Sequence, residues 1–272
     1  MSDSLQNTTV IEVIDDNGSQ KPKKEKKKKR KLSKGGVLFF RILLLASICL
    51  MCFSGYKLYT GLKEYQQGDS TYKEIAGDTS LASVEDNKVN FEYLAGINPD
   101  VVGWLYMEDS SINYPVVQGV DNDYYLEHLF NGTTNHMGCI FVDYRNTPKF
   151  QDTNTAMYAH HMRNGSMFAD LEKFKSQDYY EGHKTLYLQT PDGDYLIEPF
   201  AGCLLSGQED FIQMKFDSDD AYFEYVNNFI ANSTFKSDVE LMAQDPIVSM
   251  VTCSYDFEDA RYAVFAKITP VK

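Results

Sequence analysis

The sequence predicts a mainly β fold, either a barrel or a sandwich, and two observations support this prediction. Seven or eight short apolar segments, rich in β-branched and aromatic residues, follow one another after residue 100 with turn residues between them. One clear helix, Asp217 to Asn232, is inserted among them; Ser218 can cap it, and aromatic residues recur along it at helical spacing. At 272 residues, the chain has room for one domain of ordinary size with appendages.

Residues 1–35 are polar, charged and without periodicity, so we expect a disordered basic tail. Lys21 to Lys34 carries ten Lys and Arg against one Glu, whereas the chain from residue 60 onward carries 14 Lys and Arg against 34 Asp and Glu. An acidic domain of this kind is not suited to nucleic acid, and the basic run lies directly before an apolar segment. The charge pattern therefore argues against a nucleic-acid partner.

Residues 36–59 are predicted to form a transmembrane signal anchor. Val37 to Tyr56 is largely apolar apart from Arg41, and about 20 helical residues span a hydrocarbon core of about 30 Å. The basic flank favours a cytoplasmic N-terminus and an exterior C-terminal region. A cleaved signal peptide is the alternative, which the sequence disfavours because the apolar run is long, over 30 residues precede it, and no clear small-x-small site follows it.

Residues 60–88 are predicted as a stalk or N-terminal helix, and residues 89–272 as the main extracellular domain. Within these ranges, Thr60 to Ala76 has helical character, Val89 to Ala95 predicts a short helix, and Asp121 to Leu129 predicts a helical turn. The predicted strands are Val101 to Met107, Ile112 to Val117, Gly138 to Asp143, Ala156 to His160, Thr185 to Gln189, Tyr195 to Leu205, Ile247 to Thr252 and Tyr262 to Ile268.

Cysteine usage distinguishes one thiol from the rest. Cys49 and Cys52 lie in the predicted membrane span, and Cys139 and Cys203 lie inside apolar strand-like runs typical of a core. The sequence neither requires nor excludes a disulfide between the latter two. Cys253 is then the odd cysteine of an exported domain, and we flag it as a candidate reactive thiol.

The last two predicted strands form a strand–loop–strand unit around an acidic loop, Asp256 to Asp259. Cys253 lies where the first strand ends, and Arg261 lies where the second begins. A thiol beside a guanidinium is typical of a reactive thiolate. The alternative is a buried cysteine that only fills space, as many free cysteines do.

A cysteine nucleophile needs a base or an ion-pair partner, because a free thiol is mostly protonated at neutral pH. His160 and His161 end a predicted strand and precede a glycine-containing loop, where a histidine can face a cleft. A zinc site built on this pair is disfavoured, because neighbouring side chains on a strand point to opposite faces and no second ligand pair has metal-like spacing. We therefore expect neither a metal nor another cofactor.

Several ordered motifs, spread over residues 90–268, resemble the class B sortases, which are cysteine transpeptidases of Gram-positive bacteria. A lone His or Thr-x-Cys would be weak evidence, whereas the ordered combination is highly specific. The stretches that carry the resemblance are Asn98-Pro-Asp-Val-Val-Gly-Trp104, Ile112-Asn-Tyr-Pro-Val-Val-Gln-Gly119 with Asp121-Asn-Asp-Tyr-Tyr-Leu126, Gly138-Cys-Ile-Phe-Val-Asp-Tyr-Arg145, Tyr158-Ala-His160-His-Met-Arg-Asn-Gly-Ser-Met-Phe-Ala-Asp170, Val251-Thr-Cys253 and Arg261.

The resemblance implies a closed barrel of about eight strands with an added N-terminal helix and a helix in the long connection after the sixth strand. It also implies that Cys253 is the nucleophile, His160 the catalytic histidine and Arg261 the catalytic arginine; His161 receives no role. This chain departs from the family pattern at Val251, where class B members often have Ser, and at Ala159, where Gly is common. Neither departure removes a catalytic group, although the first could change substrate contacts.

The resemblance further implies the reaction and its partners. Surface-protein precursors with an Asn-Pro-x-Thr-x type sorting signal would be cleaved at the Thr carbonyl and transferred to an amine of the peptidoglycan cross-bridge or to a pilin Lys. The implied substrate-groove residues are Asn122, Leu126, Phe211 and Ile212, for which ordinary packing or loop polarity is the alternative.

Two other function classes stay open from the residues alone. A secreted cysteine peptidase would use the same Cys–His pair with water as acceptor. A catalytically inactive, membrane-tethered binding domain would carry an unreactive Cys253, and the intact set of Cys253, His160 and Arg261 argues against it.

Overall fold

The structure is a computed structural model that describes residues 33–79 and 88–271. The strands within this part of the chain are β1 (Val101–Tyr106), β2 (Asn113–Val117), β3 (Ile140–Val142), β4 (Asn154–Tyr158), β5 (Leu186–Thr190), β6 (Gly193–Ser206), β7 (Ile247–Cys253) and β8 (Ala260–Pro270). They close into a barrel in the order β1-β2-β3-β4-β7-β8-β6-β5. The closed barrel confirms the predicted mainly β fold and decides against the sandwich.

The described helices precede the barrel strands along the chain or lie in the connections between them. They are α1 (Lys34–Thr79), α2 (Phe91–Ile97), α3 (Gln177–Gly182) and α4 (Asp219–Ala231), with 3-10 helices at Tyr124–Leu126 and Ala169–Lys175. α4 lies in the connection between β6 and β7, as predicted. The side chain of Ser218 caps it by accepting a hydrogen bond from the Ala221 backbone N–H at 3.2 Å.

Strand register decides which residues meet at the end of the barrel where β7 finishes. β4 and β7 run parallel with Tyr158 opposite Val251, and β7 and β8 run antiparallel with Cys253 opposite Arg261. The end of β4 therefore lies beside the β7–β8 hairpin, although β4 is distant from that hairpin in sequence.

Apolar residues fill the barrel, and a second cluster joins α4 to the outer face of the β6–β8–β7 sheet. Phe229 of α4 stacks on Phe265 of β8 with ring centroids 3.9 Å apart. Tyr222 and Val226 of α4 are fully buried in the same cluster. Each buried aromatic or aliphatic side chain contributes about 1.5–3 kcal/mol relative to exposure, so the helical spacing of these residues is explained by packing.

α1 continues without a break past residue 59, the residue at which the predicted membrane anchor ends. Among the described residues, it is the one helix long and apolar enough to cross a membrane, judged by length and composition alone. Contacts divide the chain between Lys57 and Leu58. On the C-terminal side of that division, Tyr72 is buried and its hydroxyl donates a hydrogen bond to the Gly138 carbonyl.

Several predicted boundaries differ from the structure. β4 ends at Tyr158, so His160 and His161 lie beyond the strand rather than at its end. The helical turn predicted over Asp121 to Leu129 is confined to Tyr124–Leu126. Residues 1–32, which include most of the predicted basic tail, and residues 80–87 of the predicted stalk lie outside the described residues.

Two short helices between β4 and β5 were not predicted. They are the 3-10 helix Ala169–Lys175 and α3, and each is at most seven residues long. A segment of that length contains only about two turns of apolar periodicity, which is a weak signal for a helix.

Candidate active site

Cys253 and Arg261 face each other across β7 and β8. Directly opposed residues of an antiparallel pair project to the same face of the sheet, so the thiol and the guanidinium share a face. The Arg261 Nη2 lies 2.8 Å from the Asp259 carboxylate, and Nη1 donates to the Ala260 carbonyl at 3.1 Å. The side chain is 31% exposed. A guanidinium fixed on one edge and open on another can bind an anion beside the sulfur.

His160 is brought to the same end of the barrel by the parallel pairing of β4 and β7. The Ala159 N–H donates to the Val251 carbonyl at 3.3 Å, and the Thr252 hydroxyl donates to the Ala159 carbonyl at 2.9 Å. His160 follows Ala159, and Cys253 follows Thr252, so these two hydrogen bonds bring the backbones of His160 and Cys253 close together. Among the described residues, no hydrogen bond joins the two side chains.

The protonation of the His160 ring follows from its partner. Nε2 lies 2.8 Å from the Leu126 carbonyl oxygen. A carbonyl only accepts hydrogen bonds, so Nε2 carries a hydrogen. Nδ1 is then the ring atom that gains and loses a proton as the histidine changes charge, which makes it the atom available for acid–base chemistry.

The segment that carries His160 is held by its own backbone contacts. The Phe168 N–H donates to the His160 carbonyl at 3.1 Å, and His161 pairs with Met167 in an isolated bridge. Met167 is fully buried, and its φ is positive, at 58°. This backbone conformation is costly for any residue other than glycine. Packing of the Met167 side chain in the core therefore offsets the backbone cost and holds the loop against the barrel.

His161, to which the sequence assigned no role, also lies at this site. Its Nδ1 is 3.2 Å from the carbonyl oxygen of Cys253 and 3.4 Å from the carboxylate of Glu172. Glu172 belongs to the 3-10 helix that was not predicted. No local spacing links these two residues, so only the three-dimensional pairing identifies them.

A charged cluster ties the 3-10 helix to the loop after Cys253. Lys175 contacts Glu172 at 2.8 Å and also pairs with Asp256, while the Ser254 hydroxyl lies within hydrogen-bonding distance of both carboxylates, which share its single hydrogen. The ammonium of Lys175, followed by the Ser254 hydroxyl, lowers the pKa of Asp256. Burial alone would lower the pKa of Lys175, but its bonds to Asp256 and Glu172 raise it above the usual value. Asp256 and Lys175 therefore stay ionised at neutral pH, and their ion pair holds the loop.

The four candidate groove residues have different surroundings. The Asn122 side chain accepts a hydrogen bond from the Tyr144 N–H at 3.1 Å, and Leu126 is partly buried against the barrel core. Phe211 and Ile212 are partly buried against the cluster of α4. The structure brings Leu126 next to His160 through its carbonyl; the other three have no direct contact with Cys253, His160 or Arg261 among the described hydrogen bonds and ion pairs.

Arg145 links the two groups of groove candidates. It holds Asp143 through two hydrogen bonds of 3.0 and 2.8 Å and lies 3.9 Å from Asp210, the neighbour of Phe211. Burial would raise the pKa of Asp143, yet the hydrogen bonds from Arg145 and Asn122 bring it below the usual value. The carboxylate of Asp143 is therefore a fixed, ionised anchor for this side of the site.

The remaining cysteines of the domain are buried in the core as free thiols. Cys139 and Cys203 are each 1% exposed, and neither forms a disulfide. Burial raises the pKa of both thiols to about 12. Cys253 is only partly buried, which sets it apart from these two as the accessible thiol of the barrel domain.

Comparisons with known proteins agree with this arrangement. Residues 105–269 match the family model described as the Sortase domain. Sortase B of Listeria monocytogenes is 32% identical over 237 residues, which cover 83% of this chain and 95% of that protein. Sortase B of Staphylococcus aureus is 30% identical over 238 residues, which cover 86% of this chain and 98% of that protein.

Solved structures give the same result. A Staphylococcus aureus sortase B–substrate complex matches with a TM-score of 0.72 and 32% identity, over 77% of this chain and all of that one. Clostridium perfringens sortase B matches with a TM-score of 0.63 and 36% identity, over 66% of this chain and 100% of that one. The match to the Sortase domain, the two sortase B relatives and the shared closed barrel together show that this chain belongs to the sortase family. It is a class B cysteine transpeptidase.

Proposed function

We propose that Cys253, His160 and Arg261 carry out the transpeptidation. The observation that supports this most strongly is register: Cys253 is opposite Arg261 across β7 and β8, and β4 pairs with β7 up to Tyr158 and Val251. The Ala159 N–H then donates to the Val251 carbonyl, so the segments that carry His160, Cys253 and Arg261 lie at the same end of the barrel.

In the first half of the reaction, the Cys253 thiolate attacks the Thr carbonyl carbon of the sorting signal and forms a C–S bond. The carbonyl electron pair moves to oxygen, and the guanidinium of Arg261 stabilises the resulting oxyanion. The tetrahedral species then collapses and the C–N bond breaks. His160, as an imidazolium, donates its Nδ1 proton to the departing amine and leaves a thioester on the enzyme.

In the second half, an amine attacks the thioester carbonyl, and neutral His160 accepts its proton at Nδ1. The C–S bond breaks, which releases the transferred protein as an amide and regenerates the thiolate. We propose as acceptors an amine of the peptidoglycan cross-bridge or a pilin lysine, and as substrates surface-protein precursors with an Asn-Pro-x-Thr-x type signal.

We place the substrate groove beside Asn122, Leu126, Phe211 and Ile212. Leu126 is supported by the hydrogen bond that its carbonyl oxygen accepts from Nε2 of His160. The ion pairs of Arg145 support the other side, because they tie the Asp143 region to the segment that carries Phe211. A groove between these two segments would lead an extended peptide past His160.

We further propose that residues 36–59 anchor the enzyme in the cell membrane, with residues 1–35 in the cytoplasm and residues 89–272 as the extracellular catalytic domain. The exposed apolar side chains of α1 and the basic run before it support this topology. Residues 60–88 would connect anchor and domain. Tethering raises the local concentration of precursors that emerge at the same membrane.

One assay separates the transpeptidase from a hydrolase and from an inactive domain. A quenched peptide containing Asn-Pro-x-Thr-x is incubated with the full-length enzyme in detergent, with and without an amine acceptor. We expect cleavage and an amide product when the amine is present, and no turnover by Cys253→Ala or His160→Ala. Arg261→Lys should lose about 10² in kcat, because the fixed fork of the guanidinium is lost. Turnover retained by Cys253→Ala would refute the assigned nucleophile.

A further inference from the structure

The backbone around Cys253 is held on its carbonyl side by a partly buried histidine. His161 Nδ1 lies 3.2 Å from the Cys253 carbonyl oxygen, and its side chain is only 16% exposed. The same nitrogen lies 3.4 Å from the Glu172 carboxylate, whose side chain is 20% exposed. Neither contact involves the thiol itself.

The protonation of this nitrogen is determined by its neighbours. A carbonyl oxygen and an ionised carboxylate both only accept hydrogen bonds, so Nδ1 of His161 must carry a hydrogen. The resulting N–H donates to the Cys253 carbonyl, and the Glu172 carboxylate lies 3.4 Å from the same nitrogen. Attraction between the N–H and this carboxylate favours the observed orientation of the imidazole ring.

Other contacts make this arrangement rigid. Lys175 contacts the second oxygen of Glu172 at 2.8 Å, and Ser254 donates to that same oxygen. The aromatic ring of Tyr255 lies against the His161 ring with centroids 5.1 Å apart, and its hydroxyl donates to the His161 carbonyl at 3.3 Å. The histidine is thus fixed both through Glu172 and through the residues that follow Cys253.

The peptide bond after Cys253 is consequently held at both ends. His161 binds its carbonyl oxygen, and its N–H, on Ser254, donates to the Ala260 carbonyl at 2.9 Å. Because a peptide unit is planar, holding both groups fixes the plane of this peptide and, together with the pairing of Cys253 in β7, the direction in which its Cα–Cβ bond leaves the backbone. The thiol of a nucleophile must approach its target within about 3–3.5 Å, and a misplacement of about 1 Å can cost a factor of about 10².

We propose that His161, oriented by Glu172, is a positioning residue that aims the Cys253 thiol at the substrate carbonyl. This inference rests on the proposed role of Cys253 as the nucleophile. It assigns His161 no proton transfer and no contact with substrate, which distinguishes its role from that of His160.

The variants follow from the geometry. In His161→Asn the side-chain Nδ2 can occupy the place of the imidazole Nδ1 and still donate to the Cys253 carbonyl, whereas His161→Leu removes the donor. Glu172→Gln weakens the orientation of the ring and provides a second probe if His161→Leu fails to fold. His183→Asn is the matched control, because His183 Nδ1 also contacts a backbone carbonyl, that of Tyr179 at 2.8 Å, at the end of α3.

The test measures kcat and KM for amine transfer by the full-length chain in detergent, together with the rate at which iodoacetamide alkylates Cys253, followed by peptide mapping. We expect His161→Leu to lower kcat at least about tenfold with KM within about twofold. His161→Asn should recover to within about threefold of wild type, and His183→Asn should match wild type. Alkylation of Cys253 should change less than about threefold in every variant, because positioning does not alter thiol ionisation.

Two results would overturn the inference while leaving the proposed nucleophile intact. One is a wild-type kcat in His161→Leu and Glu172→Gln when Cys253→Ala is inactive. The other is an equal loss in His161→Leu and His161→Asn, or a parallel loss of alkylation, either of which would assign the ring a different role. Activity retained by Cys253→Ala would instead refute the proposed function itself.

Discussion

At the scale of single residues, the position of Arg261 depends on a glycine that the sequence did not single out. A Cβ atom on Gly207 would lie 2.8 Å from the Asp259 carbonyl oxygen and 2.9 Å from the Arg261 guanidinium carbon. The Gly207 N–H also donates to the Asp259 carbonyl at 2.8 Å. The absence of a side chain at Gly207 therefore allows the ion pair between Asp259 and Arg261 to fit against the end of β6.

Gly207→Ala tests this contact. The added methyl group must displace either the Asp259 backbone or the guanidinium, so we expect kcat to fall about tenfold through misplacement of Arg261. Gly182→Ala is the matched control, because a Cβ on Gly182 meets no atom within 4 Å. Steady-state kinetics on both variants measure this effect. Equal kcat values for the two variants would show that Gly207 does not help to position Arg261.

The carboxylate of Asp143 gives the site a predictable pH dependence of stability. Its side chain is fully buried, accepts hydrogen bonds from Arg145, and has a pKa below the usual value. A group whose pKa is lower in the folded state contributes stability above its unfolded pKa of about 3.9, and that contribution is lost as pH falls through the folded pKa.

Asp143→Asn should lower the free energy of unfolding by about 2 kcal/mol at pH 7. The gap in the free energy of unfolding between wild type and Asp143→Asn should stay constant from about pH 5 to pH 8. It should narrow below about pH 4, where the wild-type carboxylate becomes protonated. Denaturant unfolding across this range measures the gap, with Glu224→Gln on the exposed face of α4 as control. A gap that widens on acidification would contradict the assigned direction of the pKa shift.

At the scale of elements, α4 illustrates how local signals and packing agree. Ser218 caps its first turn, acidic Asp219 and Asp220 complement the positive end of the helix dipole, and Phe229 packs on Phe265. Each of these features has a signature in the sequence, which explains why this helix could be predicted to within about two residues at each end.

Ser218→Ala should destabilise the domain by about 1 kcal/mol, because the Ala221 N–H at the start of α4 loses its partner. Ser176→Ala is a close control: Ser176 also precedes a helix, α3, but its side chain makes no capping hydrogen bond. Chemical denaturation should therefore separate the two variants. Equal midpoints would mean that the cap of α4 does not stabilise the fold.

Elements without such local signals were missed or misplaced. Parallel pairing of β4 and β7 brings His160 near Cys253, yet a sequence does not reveal which strands pair across so long a separation. The strands and the Cys253–Arg261 hairpin could be predicted because alternation and a short loop are local features. His161, Glu172 and Gly207 act only through tertiary contacts, and no spacing along the chain indicated them.

At the scale of the whole molecule, the same barrel explains why the enzyme carries one accessible thiol on its catalytic domain. Cys139 is buried in the barrel core and Cys203 is buried under α4, where its thiol donates to the Phe229 carbonyl at 3.3 Å, whereas Cys253 at the end of β7 is partly exposed. The buried thiols, with pKa values raised to about 12, are poor nucleophiles at neutral pH. The fold therefore leaves Cys253 as the accessible sulfur of this domain, in keeping with the role proposed for it.

Trapping the covalent intermediate is the most direct test that Cys253 is the nucleophile. Full-length enzyme in detergent is mixed with a peptide containing Asn-Pro-x-Thr-x in the absence of an amine acceptor, and the digested protein is analysed by mass spectrometry. We expect the peptide to be cleaved after Thr and to be joined to Cys253 as a thioester. Addition of an amine should release it. A peptide adduct on any other residue, or continued cleavage by Cys253→Ala, would contradict it.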